Sequence, residues 1–480
     1  MNVLFLAAEM APYASTGGLG EVIASLPDAL QRLEINCRVL IPAYSQLDLP
    51  RTNLQQWEIS FDHQPLAITL QRASDNIYLL DIPRYFQREQ LYGYEDDVLR
   101  FGAFCRAALL AQKYFADQSW PVDVIHCHDW HSALYPVYKS TFDAPGKVLL
   151  TIHNLAYQGV CDLANLQRLG LPSSLADWRK LEFWGQLNPF KGGLVFADAI
   201  STVSPTYAKE IQTAEYGCGL EGVLQERSSR VFGIINGIDR AVWNPLKDAN
   251  LIARYSAEDP AGKQQCKKHL QQMSDLNQDA HVPLVGMVTR LTAQKGIDLL
   301  LDAIDDVMNL GIQFVALGDG EPALQAALQE AAKRYPGRMS ITAGIFDAAL
   351  AHRIYAGSDF FLMPSRFEPC GLAQMISMRY GTIPIVRATG GLADTVRNFE
   401  VPNNGGNGFS FETPDAPNLL QTLRRGVAYY HQPAWKILQQ NAFCTDFSWD
   451  HSALEYKKLY SDLVRVKELG EAPFSTSFTA

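Results

Sequence analysis

Apolar runs alternate with helix-period stretches along nearly the whole chain. Val3–Ala8, Arg38–Ile41, Val124–Cys127, Val148–His153 and Ala199–Val203 read as buried strands, and Val231–Ile235 as the last of that set. Gly20–Leu33 and Val98–Leu110 between them carry helical periodicity. A second set follows: Leu284–Thr289, Phe314–Leu317, Phe360–Met363 and Ile383–Val386. After its first strand, Ile297, Leu300, Leu301, Ile304 and Met308 line one face of a helix. Alternating strands and helices predict a doubly wound, mostly parallel sheet, and the pattern occurs twice. The polar, proline-bearing stretch Asp239–Asp279 separates the sets. The expected domains are 1–240 and 241–454. An amphipathic helix at about 455–470 should pack back on the first domain, and 471–480 should form a flexible tail.

One echo links the halves. Thr16-Gly17-Gly18-Leu19-Gly20-Glu21 resembles Thr389-Gly390-Gly391-Leu392-Ala393-Asp394, and each is expected at the entry to a helix. Ligands of open α/β sheets bind beyond the carboxyl ends of the strands. Two such domains therefore make a cleft between those ends the expected site.

Composition narrows this picture. The 480 residues are 47% hydrophobic and 19% charged, enough for two full cores. A formal charge of −10 argues against non-specific nucleic-acid binding, so an anionic ligand would need local basic groups or helix N-termini. Met1–Met10 lacks a basic start and is interrupted by Glu9, which favours a buried strand over a leader. No segment reaches the ~18–20 apolar residues of a membrane span, so no membrane partner is expected. Eight scattered cysteines with no CxxC pair read as reduced thiols, implying a cytoplasmic protein.

Four motifs follow predicted strands. Ser15–Glu21 (STGGLGE) opens a helix with paired glycines, which suit either a ligand loop or tight strand–helix packing. Its spacing is not the dinucleotide fingerprint, and the second strand ends in Ile41-Pro42 with no acid for a ribose. His126–His131 (HCHDWH), with His153 in Thr151–Gly159, leaves three readings open: a zinc site, histidines bonded to backbone at a strand end, or a polar cleft wall. In the third, Asp129 and His131 would bind hydroxyls and Trp130 would offer an apolar platform. Arg290–Gly296 (RLTAQKG) places Arg290 and Lys295 across one loop, where both could meet a diphosphate. Pro364–Gln374 (PSRFEPCGLAQ) sets Glu368 in a strand-to-helix turn, with the amides of Cys370, Gly371 and Leu372 beside it. An acid beside such amides suits sugar hydroxyls or a developing positive charge.

In this order the motifs resemble the bacterial glycogen synthases and plant starch synthases, the ADP-glucose-dependent α-1,4-glucan synthases. The resemblance runs from Val3 to about Tyr460 and includes Leu181–Gln186 (LEFWGQ), Thr202–Tyr207 (TVSPTY), Asn236–Asp239 (NGID) and Phe447–Trp449 (FSW). Ile376 stands where a broader glycosyltransferase class has a second glutamate. The resemblance implies a GT-B fold, two Rossmann-like doubly wound domains facing a deep inter-domain cleft. It implies metal-independent, retaining transfer of glucose from ADP-glucose to glycogen or malto-oligosaccharide, with no cofactor. The implied catalytic set is Glu368 near the glucosyl ring, His153 near its 6-hydroxyl, and Arg290 with Lys295 on the diphosphate. Donor binding falls to Ser15, Gly17, Gly18, Glu21, Asn236, Phe346, Cys370, Gly371 and Leu372. Acceptor binding falls to Tyr92, Asp129 and His131, and the first domain becomes the acceptor side.

Four positions depart from the family pattern. Ser15 replaces a lysine, Glu21 an aspartate, Phe346 a tyrosine thought to stack on adenine, and Ala373 a residue that is often threonine. Ser15 and Phe346 motivate one alternative, a different donor such as UDP-glucose, and Ser15 alone motivates another, a weakly catalytic glucan-binding paralogue.

Overall fold

The computed structural model describes residues 1–401 and 403–469; the expected tail at 471–480 lies outside them. The chain forms two units, Met1–Gly237 together with the chain from Trp449 onward, and Ile238–Ser448. Each is built on its own sheet.

The strands of the first unit are β1 (Asn2–Leu6), β2 (Asn36–Pro42), β3 (Thr52–Phe61), β4 (Gln64–Arg72), β5 (Ile77–Asp81), β6 (Val124–His128), β7 (Lys147–Ile152), β8 (Cys161–Asp162), β9 (Glu182–Phe183), β10 (Gln186–Leu187), β11 (Ala199–Thr202) and β12 (Val231–Gly233). Nine of them form one sheet in the order β12-β11-β7-β6-β1-β2-β5-β4-β3. From β12 through β5 the pairs are parallel. Val3, Leu4, Phe5 and Leu6 are wholly buried, as a central strand covered on both faces requires. Order reverses between β1 and β6, so the carboxyl ends of these strands flank the crevice of the sheet. The helix Gly18–Arg32 follows β1 and packs against Trp449–Leu469.

An antiparallel edge, β3–β4–β5, extends this sheet. Its hairpin turns at Asp62 and His63, both with positive φ (51° and 58°), a pair of left-handed residues that matches strand twist. β8, β9 and β10 form a separate antiparallel ribbon.

The second unit holds β13 (Leu284–Val288), β14 (Gln313–Gly318), β15 (Met339–Ala343), β16 (Phe360–Met363), β17 (Ile383–Arg387) and β18 (Phe409–Phe411), all parallel, in the order β15-β14-β13-β16-β17-β18. The switch point here lies between β13 and β16. Ile297, Leu300 and Ile304 of the helix Ile297–Met308 enter its core beside Val285, Phe314 and Phe360.

Part of the polar Asp239–Asp279 stretch is helical, over Ala261–Met273. Two of its three lysines, Lys263 and Lys267, are buried and bonded. Lys263 Nζ donates to the carbonyls of Ala356 and Tyr380 and to Thr382 Oγ1, at 2.6–3.0 Å. Lys267 Nζ meets Asp359 at 2.7 Å. Burial lowers Lys263 to about 7. These lysines let a polar sequence pack without orphaned charge.

NGID and FSW, far apart in sequence, lie where the chain passes between units. Gly237 packs on Trp449, since a methyl on Gly237 would meet the Trp449 backbone nitrogen at 2.7 Å. Ile238 N–H donates to the Phe447 carbonyl at 2.8 Å.

Candidate active site

In the first unit the loop after β1 is tied down by Glu9, a buried carboxylate. It accepts from Thr16 N–H and Thr16 Oγ1, both at 2.7 Å, and from the Tyr92 hydroxyl at 2.8 Å. Glu9 thereby joins STGGLGE to Tyr92. In the sequence alone Glu9 is only a break in an apolar run, and its one signal is a carboxylate at the end of a buried strand. Gly17 is extended, caps the helix Gly18–Arg32, and faces open space where a side chain would be. Gly20 lies against Ser15, whose Oγ would be 2.3 Å from a methyl there. Ser15 Oγ also donates to the Gly17 carbonyl at 3.2 Å. Ser15 thus packs into its own turn, while Glu21 lies in the first turn of the helix.

HCHDWH ends β6. Asp129 takes the left-handed conformation (φ 56°), uncommon for a residue with a side chain. Its Oδ1 accepts from the backbone of His153 at 2.7 Å and Asn154 at 3.3 Å, clamping the end of β6 to the segment after β7. Burial raises the Asp129 carboxyl to about 7 despite those donors. His128 Nδ1 and His153 Nε2 share a hydrogen bond at 2.9 Å. His126 lies between Thr151 Oγ1 (2.5 Å) and the Tyr460 hydroxyl (2.8 Å). Burial holds His131 and His153 down at about 3, and His126 and His128 well below the usual range, so all four are neutral at pH 7. Among the described residues, no group of three or more His, Cys, Asp or Glu side chains is arranged to hold a metal ion.

His131 stacks on Tyr92 at 4.6 Å, and Phe101 and Trp130 close around it. Trp130 in turn packs on Gly159, where a methyl would sit 2.2 Å from its ring. Asn236 is buried, and its Oδ1 has no partner among the described residues. The unit therefore brings Tyr92, Asp129, His131 and His153 together at the carboxyl ends of β6 and β7. LEFWGQ and TVSPTY frame them. LEFWGQ forms the β9–β10 hairpin, with Trp184 and Gly185 at its turn. In TVSPTY, Ser204 caps a helix and the Tyr207 hydroxyl accepts from Leu155 N–H at 3.1 Å.

In the second unit RLTAQKG follows β13 and PSRFEPCGL follows β16, on either side of the switch point. The two loops are interlocked. Arg366 N–H donates to the Gln294 carbonyl at 2.8 Å, and a methyl on Gly296 (φ 72°) would sit 2.1 Å from the Pro364 carbonyl. This close approach explains the glycine. Lys295 Nζ meets Glu368 Oε2 at 2.5 Å, with Ser365 Oγ donating to the same oxygen at 3.1 Å. Side-chain exposure is 15% for Lys295 and 8% for Glu368, so the pair is largely shielded from water. Arg290 is exposed and bonds Gln294 Oε1 at 3.3 Å.

The turn after Glu368 is held from behind. Gly391 N–H donates to the Glu368 and Pro369 carbonyls at 3.2 and 3.1 Å. Gln374 Nε2 donates to those of Cys370 and Gly371 at 3.2 and 2.9 Å. Gly371 has φ 74°, and the helix Ala373–Arg379 begins directly after Leu372. Gly390 (φ 45°) touches the Glu368 carbonyl, and Gly391 that of Cys370, where methyls would sit at 2.0 and 2.2 Å. Phe346 is 68% exposed, in the loop after β15. The second unit thus gathers Lys295, Glu368, Cys370, Gly371 and Leu372 at one strand-end crevice.

Residues 2–226 match the family model for the starch synthase catalytic domain, and 270–427 that for glycosyl transferases group 1. The chain is 43% identical to a glycogen synthase of Thioalkalivibrio sulfidiphilus over 97% of its length and 100% of that protein. It is 42% identical to one of Geobacillus stearothermophilus, over 98% and 99%. Among solved structures, the catalytic domain of starch synthase IV from Arabidopsis thaliana, bound to ADP and acarbose, superimposes with a TM-score of 0.88 at 36% identity, covering 96% of this chain and 99% of that one. With two Rossmann-like units of the GT-B class, the chain belongs to the glycogen synthase family of glycosyltransferases.

Proposed function

We propose that this enzyme elongates an α-1,4-glucan, glycogen or a malto-oligosaccharide, with glucose from ADP-glucose and with retention at the anomeric carbon. The observation that carries the reading is the buried Glu368–Lys295 pair at the β13/β16 switch point, backed by the glycine-packed turn. The C1–O bond to the diphosphate breaks, a C1–O bond to the acceptor hydroxyl forms, and the hydroxyl proton leaves with ADP. Lys295 and Arg290 oppose the charge that develops on the diphosphate. Glu368 faces the cation-like anomeric carbon, and the amides of Cys370, Gly371 and Leu372 cradle sugar and phosphate. Phe346 offers its exposed ring to adenine, and Asn236 offers its unpartnered Oδ1 to the donor. From the first unit, His153 serves the glucosyl 6-hydroxyl, and Ser15, Gly17, Gly18 and Glu21 form the donor-side loop. Tyr92, Asp129 and His131 form the acceptor wall, with Asp129 fixing the His153 backbone. Ile238–Ser448 is accordingly the nucleotide-sugar unit, and the other the acceptor unit. A cytoplasmic location belongs to the same proposal; it is supported by eight free thiols, five of them buried.

Supporting evidence for the donor is the likeness to the ADP-bound plant enzyme. The test is incorporation of labelled glucose into glycogen from ADP-, UDP- and GDP-glucose, with Glu368→Ala as the inactive control and Ser15→Lys in parallel. Preference for ADP-glucose is expected. Equal rates with all three would overturn the donor assignment, and full activity of Glu368→Ala would overturn the site.

A further inference from the structure

His128, behind His153, is a buried titratable group that the proposed chemistry leaves unused. It is wholly buried, and its Nδ1 lies 2.9 Å from His153 Nε2. Packing fixes its ring. Phe5 stacks on it at 5.6 Å with the planes 14° apart, and His126 packs on it at 4.0 Å. Ser132 Oγ accepts from His128 N–H at 2.6 Å and donates to the His128 carbonyl at 2.8 Å, which pins the strand end beneath the ring. His128 Nε2 is buried without a hydrogen-bond partner among the described residues. The rings packed on it supply none: Phe5 is apolar, and the two His126 nitrogens are taken by Thr151 Oγ1 and the Tyr460 hydroxyl. His153 is half-buried, and its Nδ1 has no partner among the described residues.

Burial keeps both rings neutral at pH 7, so each carries one N–H and one lone pair. The bond they share then has two forms. If His153 Nε2–H donates, His128 keeps its proton on Nε2, and a buried donor is orphaned. If His128 Nδ1–H donates, its Nε2 is a bare lone pair, and His153 carries its proton on Nδ1. An orphaned buried N–H is the rarer and costlier fault, which selects the second form. We propose that His128 is a positioning residue, holding His153 in the Nδ1–H tautomer so that it donates a hydrogen bond to the 6-hydroxyl of the transferred glucose. The bond at one imidazole nitrogen sets the proton on the other. This inference rests on the reading of His153 given above and adds the group that fixes its donor. It also assigns a source of selectivity, since a site with a fixed donor for a hydroxyl rejects the sugar that lacks it.

The test compares initial rates of transfer to glycogen from ADP-glucose and from ADP-6-deoxyglucose, in the full-length parent, His128→Phe, His128→Asn and His153→Ala. The readout is the ratio of kcat/KM for the two donors, because a variant that merely loosens the unit slows both alike. The parent should prefer ADP-glucose by at least about tenfold. His128→Phe keeps a flat ring against Phe5 but has no donor, and its preference should fall below about threefold. His128→Asn places an amide N–H near the position of Nδ1 and should recover most of the preference. In long-range proton–nitrogen NMR spectra of the histidine-labelled parent, His153 should carry its proton on Nδ1, a measurement that needs no variant to fold. Parent-like selectivity in His128→Phe, a His128→Asn variant as unselective as His128→Phe, or a proton on His153 Nε2 would each overturn the proposal. A parent indifferent to the 6-hydroxyl, or His153→Ala as selective as the parent, would instead overturn the reading of His153 itself.

Discussion

Replacing Lys295 by methionine separates what the Lys295–Glu368 pair does for the fold from what it does for transfer. Without the lysine, the Glu368 side chain retains only Ser365 Oγ among the described residues, at 3.1 Å, in a position 8% exposed. Breaking a fully buried pair from one side costs about 3–5 kcal/mol. The 15% exposure of Lys295 admits some water to the site, which brings the expected loss to about 2–3 kcal/mol. For a unit of this size that is a fall in Tm of roughly 4–12 °C. On the reaction, losing one preorganised cation opposite a developing negative charge should lower kcat by about 10²–10³. The double variant Lys295→Met/Glu368→Gln removes the orphaned charge as well. Its stability should return to within about 1 kcal/mol of the parent, while transfer stays down. Calorimetry and initial rates of labelled glucose incorporation read the two effects. A kcat reduced less than tenfold in Lys295→Met would refute the catalytic role. A double variant no more stable than the single would refute the buried-charge argument.

Gly390→Ala should cost about 2–3 kcal/mol or more and cripple transfer, because its methyl would meet the Glu368 carbonyl at 2.0 Å from a left-handed backbone. Gly17→Ala, facing open space on extended backbone, should leave Tm unchanged, so any loss of activity there reports crowding of the ligand. Glu9→Gln replaces a carboxylate that accepts three hydrogen bonds and should cost about 1–3 kcal/mol, with a raised acceptor KM; Tyr92→Phe should cost less. His126, His128, His131 and His153 are depressed in the folded state, so the stability they contribute is fully present above pH 6.5. It is lost as pH falls below 6.5, down to about 3 for His131 and His153, with His126 and His128 acting in the same direction. Asp129, raised to about 7, acts oppositely: its contribution is complete below its unfolded value and lost as pH rises through 7. Four groups against one predict net destabilisation by acid, and denaturant midpoints flat from pH 7 to 5 would contradict it.

The parallel strands were legible because burial on both faces leaves an unbroken apolar run, as in Val3–Leu6 or Phe314–Leu317. The β3–β4 hairpin was not. Thr52–Phe61 carries polar residues on a largely exposed edge, and its turn is Asp62-His63 rather than a glycine pair. Nor could pattern alone set where the chain crosses between units. The expected points were 240/241 and 454/455, while it crosses at Gly237/Ile238 and Ser448/Trp449, where NGID and FSW pair across more than two hundred residues of sequence. Within the site, the conspicuous residue types stood out in the sequence, but their partners did not. Arg290 and Lys295 look alike as loop cations; only the fold binds Lys295 to Glu368.

The glycine echo gains a physical meaning from the same geometry. Thr16–Glu21 and Thr389–Asp394 both enter helices, yet their glycines answer different demands. Gly390 and Gly391 are pressed against the carbonyls of Glu368 and Cys370, so the second motif is a wall behind the turn that presents Glu368. Gly17 has nothing within 4 Å of where a side chain would lie, so its lack of one is not required by packing in the structure. The open space beside Gly17 leaves room for a ligand to approach the backbone there. Ser15, turned back onto Gly20 and Gly17, leaves that approach without the family's lysine. On the proposed roles of Lys295 and Arg290, the prediction is that transfer depends strongly on both. Ser15→Lys should relieve that dependence: introduced into Lys295→Met, it should recover part of the lost kcat, whereas no recovery would mean that position 15 does not face the donor.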